Sequence, residues 1–173
     1  MQNNKKTAQL YGLILGSILA IGLVGIPTAL ASTTNPDYTN VEDSSVEENN
    51  GKIKLTATTG GDIPKKADDF INSVLGFGFA WLDGNKGIVA VIHPTFDDSN
   101  QNPKAWHTHT VTLDGNNCVT VEDSQGGVII KGNTLTLQFP KEFAENIEPA
   151  GQAVSFKLVA DESCDSGAAV ETL

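Results

Sequence analysis

From Lys52 onward the chain reads as short apolar or β-branched runs separated by turns rich in glycine and asparagine. "KIKLTAT" alternates, so Ile53, Leu55 and Ala57 share one face of an extended strand. "FGFAWL" and "IVAVIH" flank the turn "DGNKG", and "AWHTHTVTL" follows an eleven-residue loop from Pro94 to Lys104. "CVTVE" follows the turn "DGNN", and "VIIK" is joined to "TLTLQF" by "GN", a two-residue hairpin signal. "QAVSFKLVA" and "AAVETL" close the series. In "PKKADDFINSVLG", Ala67, Phe70, Ile71, Val74 and Leu75 fall at helical spacing, which predicts one short helix. About eight strands with turns every eight to twelve residues predict an all-β domain over residues 52–173. The expected form is an antiparallel β-sandwich, Ig-like or jelly-roll-like, with a small β-barrel as the alternative.

The N-terminal end has a different pattern. Lys5 and Lys6 precede the uncharged apolar run "LYGLILGSILAIGLVG", and Ala29-Leu30-Ala31 offers small residues for cleavage. Residues 1–31 are therefore expected to be a signal peptide. If left uncleaved, residues 10–30 would serve as a membrane anchor. Both readings place the remainder outside the cytoplasm, secreted or at the cell surface. Residues 32–51, "STTNPDYTNVEDSSVEENNG", are polar and acidic, with little apolar surface to offset the entropy of ordering. They are expected to form a disordered acidic spacer.

Charge narrows the partners. Asp and Glu total 21 against 11 Lys and no Arg, a formal net charge of −10. Such a surface repels phosphate backbones and anionic headgroups, and without arginine there is no bidentate clamp for either. Nucleic acid is excluded on this ground, which leaves a metal ion or a neutral small ligand, with membrane contact only through the N-terminal segment. The two cysteines, Cys118 and Cys164, are expected to form a disulfide in an exported chain.

All three histidines, His93, His107 and His109, lie within the stretch from Ile92 to Leu113. On a strand, His107 and His109 share a face with Ala105, Val111 and Leu113, while Trp106, Thr108, Thr110 and Thr112 take the other. Their Cα atoms are then roughly 6.5 to 7 Å apart, a separation from which two imidazoles can meet at one ion. If "IVAVIH" and "AWHTHTVTL" pair as a hairpin, His93 comes within cross-strand reach of His107. Three histidines with an open position suit a divalent transition metal, zinc or copper(II). The loop residues Asp97 and Asp98 are candidates for a fourth ligand or for a hydrogen-bond partner of a ligand. The arrangement resembles the metal geometry of some carbonic anhydrases and cupins, a likeness that covers three residues. Satisfied structural histidines are the alternative that needs no metal.

Other chemistries fit poorly. A blue-copper site needs a cysteine among its histidines and usually a methionine, and the one methionine is Met1. No Gly-x-Ser-x-Gly nucleophile elbow occurs, and the "DDSNQN" loop lacks calcium-loop spacing. Phe77, Phe79 and Trp81 are expected in the core, whereas Trp106 and Phe96, beside the loop, are candidates for facing a ligand such as a sugar ring. The expected function is binding of zinc or copper by the three histidines. A zinc-dependent hydratase or hydrolase at the same site, or a non-metal adhesion or carbohydrate-binding module, is the alternative.

Overall fold

The computed structural model describes residues 35–66, 75–94, 104–123, 126–144 and 146–173. The proposed signal segment and the central residues of the helical candidate, 67–74, lie outside them, as does most of the loop after Pro94. From Thr34 to Leu173 the chain forms one compact unit.

Among the described residues ten strands make two antiparallel sheets. They are β1 (Val41–Asn49), β2 (Lys52–Thr59), β3 (Gly76–Asp83), β4 (Lys86–Ile92), β5 (His107–Leu113), β6 (Val119–Asp123), β7 (Gly127–Lys131), β8 (Thr134–Pro140), β9 (Ala153–Ala160) and β10 (Ala168–Thr172). The smaller sheet has the order β1-β2-β8-β7, and the larger the order β10-β9-β3-β4-β5-β6. The fold is all-β, a sandwich whose larger sheet curls into a half-barrel.

Alternation explains the smaller sheet. In β2 buried positions alternate with exposed or half-buried ones, and Ile53, Leu55 and Ala57 face inward with Leu135, Leu137 and Phe139 of β8. They pack against Phe77, Phe79, Trp81, Ile88 and Ala90 from β3 and β4. This is the layer between the sheets.

The larger sheet is buried on both sides of β3 and β4, which accounts for their near-continuous apolar sequence. Its second face carries Ala80, Val89, Val91, Val111, Phe156 and Leu158. Among the described residues no second sheet covers that face. Instead the sheet turns it inward, and the edges β6 and β10 approach one another. Cys118 bridges to Ala169, and the Val170 amide donates to the Asn117 carbonyl at 3.0 Å. The Cys118–Cys164 disulfide, with Cα atoms 5.3 Å apart, locks this seam. Cys164 sits in a turn ordered by Asp161, whose carboxylate accepts from the Ser163 hydroxyl and amide. Those two bonds lower the Asp161 pKa.

The acidic segment before Lys52 departs from the expected spacer. Residues 41–49 form β1, paired along its length with β2. Composition asks whether a segment can bury apolar surface, but an edge strand needs little of it. The backbone ladder, Val41 and Val46 against the core, and ion pairs such as Glu47–Lys54 hold it in place. Ser44 adds a link to the other sheet, donating to the Gly151 carbonyl at 2.9 Å and accepting from the Ala153 amide at 2.8 Å. The hairpin is closed by Asn50-Gly51, both at positive φ (50° and 73°), the conformation a two-residue turn of this hand requires.

Candidate metal centre

β5 begins beside the end of β4, antiparallel to it. Val91 pairs with His107 and Val89 with His109, so the imidazoles of β5 emerge beside the end of β4. His93 follows Ile92 by one residue and continues the Val89–Val91 face. All three side chains are buried, at 7%, 4% and 3% exposure for His93, His107 and His109. One ligating nitrogen from each lies within 4.8 Å of the other two.

The rings are arranged at close quarters. Centroids are 4.6 Å apart for His93 and His107, 4.8 Å for His107 and His109, and 5.9 Å for His93 and His109. His107 Nδ1 lies 2.7 Å from the Ala105 carbonyl, which can only accept, so this nitrogen carries the proton. In the neutral ring Nε2 is then the lone-pair nitrogen, and His93 Nε2, 2.8 Å away, donates to it. A carbonyl that orients a histidine through Nδ1 leaves Nε2 directed at an ion, a common support for metal ligands. Tetrahedral nitrogen ligands at about 2.0 to 2.1 Å from an ion stand roughly 3.3 Å from one another. The present nitrogen separations, from 2.8 Å up to no more than 4.8 Å, bracket that spacing. The chemistry of the donor set and its burial therefore fit a single transition-metal ion.

The histidine face is the inner face of the curl, not the layer between the sheets. Thr108 and Thr110, also buried, take the face toward the smaller sheet. His93 and His109 line an open-mouthed cavity of about 680 Å³ on the inner face of the larger sheet.

Trp106 does not face a ligand. Its ring stacks on Phe79 (centroids 6.0 Å, 20° between planes) and meets Phe77 edge-on, and its Nε1–H donates to the Pro64 carbonyl at 2.8 Å. It belongs to the layer between the sheets because its parity on β5 is opposite to that of the histidines. That removes one of the two aromatic residues on which sugar stacking rested. Phe96, Asp97 and Asp98 lie outside the described residues.

Two glycines of β3 shape the site and escaped the sequence reading. A Cβ on Gly76 would stand 2.8 Å from His93 Cβ and 2.9 Å from the Ile92 carbonyl oxygen. A Cβ on Gly78 would stand 2.5 Å from the Ala90 carbonyl oxygen and 2.7 Å from the Phe156 ring. "GFGF" carried the signal, since glycine inside a strand marks a close approach.

An all-β protein with a buried three-histidine site able to hold a metal ion is thus the class that fold and site define. Comparison with protein-family models, with curated proteins and with solved structures finds no match to this chain.

Proposed function

We propose that the protein is exported and binds one divalent transition metal, zinc or copper(II), through His93, His107 and His109. The convergence of three buried imidazoles from adjoining strands within 4.8 Å is the observation that supports it. Three buried rings brought together at one point forgo hydration, and an ion that accepts all three lone pairs offsets that cost. The disulfide and the apolar leader-like segment are in keeping with an oxidising compartment. Three protein ligands leave a position for water or a small ligand, the arrangement that catalytic zinc uses. We nevertheless read the site as a binding site, because no group suited to acid–base work stands beside the histidines among the described residues lining the cavity.

Metal analysis of the purified protein beside a His107→Ala, His109→Ala double variant tests the reading. One equivalent of zinc or copper in the wild type and none in the variant is expected. Equal metal content in the two proteins would refute it. Binding should also weaken on acidification, because each ligating nitrogen must be free of its proton.

Gly76 gives a second expectation. Gly76→Ala should push His93 off the shared point and weaken metal binding by about 10- to 100-fold, the usual range for a change that misorients a ligand. A competitive zinc titration measures it. Unchanged affinity would show that β3 does not position His93.

A further inference from the structure

The space beside the histidines is far larger than an ion and its water require. At about 680 Å³ it falls within the range of pockets that enclose drug-sized molecules. Val89, Val91, Val111, Phe156, Leu158 and Val170 contribute its walls, from β4, β5, β9 and β10. The Phe156 ring is drawn against the β3 backbone at Gly78, where a Cβ would lie 2.7 Å from it, and this keeps the volume in front of the ring open. From His109 to Leu113, both in the lining, the cavity runs roughly 13 Å along β5 at the usual rise per residue.

Polar groups are placed unevenly. His93 and His109 stand at one end, and Asn85, Asp114 and Asn117 belong to the turns at the other end of β3, β4 and β5. At that far end the Asp114 carboxylate already accepts from the Asn116 and Cys118 amides, at 2.8 and 2.9 Å, and Asn85 Nδ2 donates to the Leu113 carbonyl at 3.2 Å. Glu171, at the wall, is paired with Lys157 at 2.6 Å. A sugar or nucleotide would leave its hydroxyls or phosphates unmatched against valine and phenylalanine, at a cost for each buried group. A second anionic end would meet Asp114. What matches is one donor head at the histidine end and a hydrocarbon body along the valines.

We infer that the cavity binds a medium-chain aliphatic molecule that presents one small metal-ligating head group to the metal at His93, His107 and His109. The inference rests on the metal reading above. The metal's open position receives the head, and desolvation of the chain against the walls supplies length-dependent affinity.

A series of alkyl hydroxamic acids, from acetohydroxamic to octanohydroxamic acid, probes both parts by calorimetric titration into the zinc-loaded protein. Zinc content is measured before any ligand is added. Affinity should rise about fourfold per added methylene, the factor for burying one CH2 group. Val119→Phe and Val154→Phe, at half-buried wall positions, fill the cavity away from the histidines. Either should flatten the series while leaving zinc content and acetohydroxamic acid binding unchanged, and retention of the disulfide verifies folding in each. A flat series in zinc-loaded wild type overturns the inference and leaves the metal site standing. So does a steep series that a folded variant fails to flatten, because the chain then lies elsewhere. Wild-type protein that takes up no zinc or copper refutes the metal reading and this inference with it.

Discussion

Replacing Cys118 and Cys164 by alanine should lower the free energy of unfolding by about 4 kcal/mol. That is the chain-entropy expectation for cross-linking residues 46 apart in sequence, since the bridge removes open conformations from the unfolded ensemble. The position of the bridge adds a local effect. Cys118 pairs with Ala169 across the gap between β6 and β10, where a single isolated bridge and the Val170–Asn117 hydrogen bond are the backbone links. Without the covalent tie, these two edge strands become ends that open independently, and the cavity wall at Val119 and Val170 opens with them. Urea unfolding of the variant and of reduced wild type should give the same shift in midpoint. A loss below about 1 kcal/mol would mean that the unfolded chain is compact enough to keep the two segments together without the bond. Hydrogen exchange should then show faster opening at β10 than at β8.

Phe79→Ala should cost about 3 to 5 kcal/mol, the range for removing a fully buried aromatic side chain. Phe79 has no exposed surface and is stacked on Trp106 and edge-on to Phe77, at the centre of the layer between the sheets. The loss combines transfer free energy with a cavity that two β-sheets, held in register by their ladders, are slow to collapse. Because Phe79 and the histidines lie on opposite faces of the larger sheet, metal content per folded molecule should be unchanged. Chemical denaturation reads the first quantity and metal analysis the second. A penalty under about 1 kcal/mol would show that Trp106 and Phe77 repack into the space.

These two variants divide the molecule as its sequence does not. "IVAVI" and "FGFAWL" announce strands by their composition, and their lack of alternation shows that both faces are buried. Which face meets the second sheet and which lines a cavity is invisible in a run where every side chain is apolar. The same holds for the histidines. Period-two alternation places His107 and His109 on one face with Val111 and Leu113, and the short return loop brings His93 alongside. Their inward orientation is therefore legible. Their destination is not, because it depends on curvature of the larger sheet, whose edges meet at Cys118 and Ala169, 51 residues apart in sequence.

Trp106 and the acidic segment before Lys52 show the two limits most plainly. Parity put Trp106 opposite the histidines, and a loop-flanking position made it look available. Only the placement of β3 two positions away in the same sheet, with Phe77 and Phe79 reaching the Trp106 ring, turned that face into core. Residues 41–49 lack the apolar surface that a free-standing element would need, and composition by itself argues for disorder. The ladder to β2 overrides composition because an edge strand draws its stability from a partner already held by β8. The Asn50-Gly51 pair was the local clue, a turn that makes sense only between two strands.

The sequence by itself determined the strand alternation, the all-β class and the identity of the three imidazoles, and it favoured a disulfide between its two cysteines. Each follows from residue type and spacing along one or two strands. Tertiary structure alone decided that the larger sheet curls, that the disulfide closes its seam, and that the histidines open onto an apolar cavity. Those outcomes depend on which strands become neighbours, and contacts between residues far apart in the chain leave no periodic trace in it.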